Sequence, residues 1–103
     1  MNDQSSRIAI DADVAAAQLT IVGVVDSHPA PLLSSAIEST RTDENLCLDL
    51  SGVEFIDSSG LRIIVNAHRA REAAGYRLEL TRASEAVTRL LDITGLTDHL
   101  NIR

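Results

Sequence analysis

Ser58 and Ser59, set between Asp57 and Gly60, are the residues of this chain best placed to do chemistry. Asp and Ser are preferred helix N-caps, and the apolar periodicity that starts at Leu61 reads as a helix. A helix N-terminus carries unpaired N–H donors and partial positive charge. A serine hydroxyl at that point is pre-positioned to carry a phosphate, because the new anion meets free donors and a favourable dipole. A partner fitted to the bare hydroxyl would instead meet about two negative charges and added bulk. A local modification there can switch binding without refolding the domain. The same four residues also meet the ordinary requirements of a helix cap, and residue type alone leaves both readings open.

The other reactive side chains form no constellation. His28, His68 and His99 lack metal-ligand spacing such as His-Glu-x-x-His. His68 falls on an apolar helix line and reads as a satisfied packing histidine. Ser58 is outside any Gly-x-Ser-x-Gly elbow, and no His is placed in sequence to activate it. The five glycines are scattered singly, so no glycine-rich phosphate loop is present. Cys47 is the one cysteine, which excludes an internal disulfide and a cysteine metal cluster. Between Leu46 and Leu48, with no basic neighbour, it reads as a small buried hydrophobe and not as a redox sensor. None of these side chains points to a catalytic centre, so the chain is expected not to be an enzyme and to need no cofactor or metal.

The elements that must hold this site follow from the hydrophobic pattern. Residues 1 to 6 are polar and expected to fray. Ile8 and Ile10 alternate with Ala9 and Asp11 as an edge strand, and Gln18 to Val25 is a β-branched strand joined to it by a short hairpin link. Asp26 ends that strand before the loop Ser27-His28-Pro29-Ala30. Pro31 suits the first turn of a helix, with Leu33, Ala36, Ile37 and Thr40 on one face. After the polar turn Thr42 to Asn45, Leu46 to Leu50 forms a third, central strand, and Gly52 to Asp57 a connection. The long helix from Ser58 has two apolar lines. Leu61, Ile64, Val65 and His68 share one; Ile63, Ala67, Ala70 and Ala74 share the other, so its core side stays open. Arg62, Asn66 and Arg69 lie off both and should be solvated. Gly75 caps this helix. Tyr76 to Thr81 alternates as a half-buried strand. Ser84 caps a helix that buries Val87, Leu90 and Leu91 and ends at Gly95, where Leu96 contacts Leu91. A last short strand falls near His99 to Ile102. Helices alternating with strands after an opening hairpin favour parallel pairing by right-handed crossovers.

Composition limits the partners. The 103 residues fit one domain, 1–103, with no linker or repeat. Aromatics are only 2%, so the core is aliphatic and no base-stacking platform exists. The net charge of −6, from 9 basic and 15 acidic residues without a basic cluster, argues against nucleic acid and anionic membrane surfaces. The polar N-terminus is no signal peptide, and no apolar stretch reaches the length of a membrane span. A cytoplasmic protein with a protein partner is expected.

Asp49-Leu50-Ser51-Gly52-Val53, followed by Phe55-Ile56-Asp57-Ser58-Ser59-Gly60-Leu61, resembles the signature of STAS domains, the sulfate transporter and anti-sigma factor antagonist family. Gly23-Val24-Val25-Asp26 is similar to the end of the family's second strand, and Leu90 to Leu96 to its late helix and the Gly-Leu after it. The resemblance covers nearly the whole chain. It implies an α/β fold, a STAS-type mixed β-sheet of four to five strands with helices packed mainly on one face.

The resemblance further implies an anti-sigma factor antagonist. The unphosphorylated form would bind an anti-sigma factor that is also a serine kinase with a GHKL-type ATP site, freeing a sigma factor. Phosphorylation of Ser58 would end the interaction, and a PP2C-type phosphatase would reset it. Asp26 and Asp57 would flank the acceptor, with Ser59, Gly60, Leu61 and Arg62 at the partner surface; the antagonist would be a monomer or weak dimer. Two features depart from the family pattern: the prolines of Ser27-His28-Pro29-Ala30-Pro31, and Arg62, where well-known antagonists often carry a small residue. A second reading is an accessory or scaffold STAS subunit of a stressosome-like assembly or lipid-transport ATPase, binding constitutively. A third is a nucleotide- or small-ligand-sensing domain.

Overall fold

The computed structural model describes residues 8–26, 30–40, 43–96 and 100–102. The expectations for residues 1–6, for 27–29, for Thr42 and for His99 lie outside them. Eight elements follow in order: β1 (Ile8–Asp13), β2 (Gln18–Val25), α1 (Ala30–Glu38), β3 (Leu46–Ile56), α2 (Ser58–Ala73), β4 (Leu78–Ala83), α3 (Glu85–Thr94) and β5 (Asn101–Ile102). α1 begins at Ala30, one residue before the Pro31 start that the sequence predicts. Among the described residues the sheet runs β1-β2-β3-β4-β5. β1 pairs antiparallel with β2, and every later pairing is parallel. This is the mixed α/β sheet expected.

Alternation divides the sheet into two faces. Leu19, Ile21, Leu48, Leu50, Leu78 and Leu80 point inward and are essentially without solvent contact. They form one aliphatic core with Leu33 and Ile37 of α1, Leu61 and Ile64 of α2, and Val87 and Leu91 of α3. The opposite face carries cross-strand rows with more polar character. Asp13, Gln18, Cys47 and Glu79 align in one row, and Asp11, Thr20, Asp49 and Arg82 in the next. Cys47 is therefore half-buried on the open face and not a core residue, because its neighbours Leu46 and Leu48 take the inward positions.

β3 is longer than its sequence suggests. It continues through Gly52 to Ile56 in place of the expected connection. Between Thr20 and Val22, one residue of β2 (Ile21) faces two of β3 (Leu50 and Ser51), and between Gly23 and Val24 β3 inserts Glu54 with no counterpart on β2. Each extra residue on β3 is a bulge that shifts the inward phase by one. The buried positions accordingly run Leu46, Leu48, Leu50, Val53, Ile56. Gly23 lies at the second bulge with a φ of 106°, a left-handed conformation that glycine adopts without steric cost.

The helices end where local chemistry dictates. The Tyr76 N–H donates to the Arg71 carbonyl (2.9 Å) and the Gly75 N–H to the Glu72 carbonyl (3.0 Å), with Gly75 left-handed one residue past the last turn of α2. This is a Schellman closure. At α3, Ser84 accepts from the Val87 N–H, and Leu96 donates to the Leu91 carbonyl at 3.0 Å beyond left-handed Gly95. β4 starts at Leu78, two residues later than expected: the Tyr76 N–H is tied to the end of α2 and the Arg77 N–H is held by the Asn45 side chain.

The core side of α2 is the line of Leu61, Ile64 and His68, extended by Arg71. His68 is only 7% exposed. Its Nε2 lies 3.4 Å from the Glu72 carboxylate, but its Nδ1 finds no hydrogen-bond partner among the described residues, so it is not fully satisfied. Arg71 was not anticipated in the interior. Its guanidinium donates to the Glu44 carbonyl (3.2 Å) and to the Thr40 hydroxyl (3.0 Å), which ties α2 to the α1–β3 connection.

Candidate functional site

Val25 and Ile56 are paired neighbours at the carboxyl ends of β2 and β3. The next residues, Asp26 and Asp57, therefore leave the sheet side by side. Binding sites in open α/β sheets gather at the carboxyl ends of strands. The Asp57 N–H donates to the Val25 carbonyl at 3.2 Å, which holds the β3–α2 junction against the end of β2.

Asp57 is the N-cap of α2, with extended backbone (φ −114°, ψ −172°). Its carboxylate accepts from the Ser59 N–H at 2.9 Å and the Gly60 N–H at 3.2 Å. Its own carbonyl accepts from the Leu61 N–H at 3.0 Å. Two donors expected to be free for an added anion are thus already occupied by a carboxylate. A phosphate on Ser58 would gain from the helix dipole and lose by repulsion from Asp57.

Ser58 is the first residue of α2, and it is exposed. Ser59 and Asp26 are half-buried, and Arg62 is exposed. Gly60 and Leu61, expected at the partner surface, are buried within the first turn of α2. Their task is support. An added methyl on Gly60 would come within 2.6 Å of a Val25 methyl and 2.8 Å of the Val25 carbonyl oxygen, so the absence of a side chain lets α2 start hard against β2. Leu61 anchors the first turn in the core. The site is thus an exposed hydroxyl on a rigid mount, bordered by two carboxylates.

The sequence reading overlooked Phe55, three residues before Ser58. It is 52% exposed, although it is one of only two aromatic residues in the chain. Its scarcity was the available signal. Among the described residues, no group of three or more His, Cys, Asp or Glu is placed to hold a metal, and no helix is long and apolar enough to cross a membrane.

Comparison with known proteins agrees with this architecture. The family model described as "Mlab, STAS domain" matches residues 8–102. An anti-sigma-B factor antagonist of Bacillus subtilis (strain 168) is 34% identical over 86 residues, 82% of this chain and 79% of its own. One from Listeria monocytogenes is 33% identical over 85 residues, 81% of this chain and 75% of its own. Among solved structures, an anti-sigma factor antagonist from Mycobacterium paratuberculosis superposes with a TM-score of 0.77 at 24% identity, covering 99% of this chain and 89% of that one. The phosphorylated Bacillus cell fate determinant SpoIIAA superposes with a TM-score of 0.65 at 19% identity, covering 93% and 90%. With its mixed sheet, its Asp57-capped helix and these relatives, the chain belongs to the STAS domain family.

Proposed function

We propose that this chain is an anti-sigma factor antagonist whose binding is switched by phosphorylation of Ser58. In its unmodified form it docks on an anti-sigma factor with GHKL-type serine kinase activity and frees a sigma factor. The kinase transfers a phosphoryl group to Ser58 Oγ, and the complex separates. A PP2C-type phosphatase removes the group. The switch operates in the cytoplasm, with the antagonist a monomer or weak dimer.

The observation that carries this reading is the exposed Ser58 hydroxyl at the first position of α2, on a helix start fixed by Asp57 and Gly60. The rigid mount means that the modification acts on the partner and not on the fold. A phosphate adds about two negative charges where Asp26 and Asp57 already supply two carboxylates. A partner surface fitted to the hydroxyl then faces dense negative charge and added bulk. Arg62, on the exposed side about one turn further along α2, is placed to tune the choice of partner.

The test is a binding titration of the cognate anti-sigma kinase with wild type, Ser58→Ala and Ser58→Glu, together with phosphate analysis after incubation with ATP. Ser58→Ala should bind like wild type and take up no phosphate. Ser58→Glu should bind at least about tenfold more weakly, as expected when a charge is desolvated against a fitted surface. Equal affinity of all three would place Ser58 outside the interface and end this reading.

The match to the model described as "Mlab, STAS domain" favours a second reading, an accessory subunit that binds constitutively. On that reading Ser58 takes up no phosphate from any kinase of the source cell, and the chain co-purifies with a permease–ATPase complex whatever residue stands at position 58.

A further inference from the structure

The open face of the sheet is not uniform. Toward the hairpin end its rows are acidic and polar. The Asp49 carboxylate there is occupied by the Ser51 N–H (3.0 Å) and the Ser51 hydroxyl (2.7 Å). Toward the end that carries Ser58 the face turns apolar. Ala9 lies opposite Val22, and Val24 lies opposite Phe55. Val22 is 45% exposed and Phe55 52%. The second bulge of β3 produces this exposure. Strict alternation after buried Val53 would turn Phe55 inward; the extra residue at Glu54 turns it out and gives the inward place to Ile56. Large apolar side chains held in solvent in one contiguous patch mark interaction surfaces.

From this placement we infer that Val22, Val24 and Phe55 form a second, constant part of the docking surface for the anti-sigma factor that reads Ser58, with Phe55 as its anchor. The inference rests on the function proposed above. Continuity supports it: Phe55 and Ser58 are three residues apart, so their Cα atoms lie within about 11 Å. An ordinary interface covers about 800 Å² on each partner, a disc of about 16 Å radius. A partner centred on Ser58 therefore reaches Phe55 as it turns over the end of β3. Charge supports it too. Exposed Glu54 adjoins Phe55 in the chain, and Asp26 and Asp57 follow at the carboxyl ends of the same two strands, which puts acidic residues at the strand-end margin of the patch. The complementary surface is an apolar pocket rimmed by Lys and Arg, with the aromatic ring as the filling group. Ser58 then sets whether the complex forms, and the patch sets how tightly.

The experiment is a titration of the cognate anti-sigma factor with wild type, Phe55→Ala, Phe55→Leu and Ser58→Glu, with a thermal melt of each. Phe55→Ala should weaken binding about tenfold or more, as truncation of a buried aromatic anchor does. Its melting temperature should hold, since the ring is half in solvent, and Phe55→Leu should recover part of the affinity. Loss of binding in Ser58→Glu with Phe55→Ala within about twofold of wild type would overturn the patch and leave the switch standing. Wild-type affinity for both Phe55→Ala and Ser58→Glu would overturn the switch as well. If Phe55→Ala melts early, Val22→Ser takes its place, with the same two outcomes deciding.

Discussion

Ser58 owes its exposure to what surrounds it. Asp57 takes up the first helix donors, Gly60 allows the close approach to β2, and Leu61 fills the core, so the hydroxyl is left facing solvent on a fixed base. The position of the hydroxyl was legible in the sequence because helix capping is local chemistry. The division of labour beside it was not, because the close approach that Gly60 permits is to Val25, which lies 35 residues earlier in the chain. A second carboxylate reports on the open face. The Ser51 N–H and then the Ser51 hydroxyl hold the Asp49 carboxyl below its ordinary value of 3.8; burial opposes them, and the Arg82 charge adds a lesser lowering. A carboxyl whose folded pKa lies below its unfolded one adds stability above the unfolded value and loses it as pH falls through the folded value. Ser51→Ala should therefore raise the Asp49 pKa toward 3.8, as followed by carboxyl-carbon NMR titration. It should also flatten the loss of stability below about pH 4. An unchanged titration curve would show that the Ser51 hydroxyl contributes nothing.

At the scale of elements, the ends of helices were readable and the length of β3 was not. Ser84, Gly75 and Gly95 act on their own neighbours, so their types announce α2 and α3 without reference to the rest of the fold. Leu50, Val53 and Ile56 are buried at a spacing of three, which matches no regular strand and reads as irregular until β2 is seen beside it. Arg71 was unreadable for a similar reason: its partners Glu44 and Thr40 lie 27 and 31 residues away. The junction of α2 with β2 yields an element-scale prediction. In an ordinary helix Gly→Ala stabilises by about 1 kcal/mol. At Gly60 the methyl would press on the Val25 side chain and carbonyl, an overpacking that costs about 1–3 kcal/mol. Gly60→Ala should therefore lower the urea midpoint with an unchanged slope. A midpoint at or above wild type would show that α2 can draw back from β2 without cost.

Across the whole molecule, the surplus of acidic groups shapes encounters with any basic partner. The net charge of −6 steers association while salt is low, and a Debye length that shrinks from about 30 Å at 0.01 M to about 3 Å at 1 M removes that help. The association rate with the anti-sigma factor should fall several-fold, about three or more, between 0.05 and 0.5 M salt. The dissociation rate should change far less. Stopped-flow mixing separates the two, and a salt-independent association rate would remove charge from the encounter. The same acidity guards the borders of the sheet. Among the described residues, β1, with exposed Asp11 and Asp13, leaves one flank of backbone donors and acceptors open, and β5 pairs at the other flank through two residues. A second chain laid antiparallel along β1 would bring carboxylates face to face, and one laid along β5 would find almost no ladder to extend. Fibre growth by strand addition to the described sheet is thus obstructed at both margins.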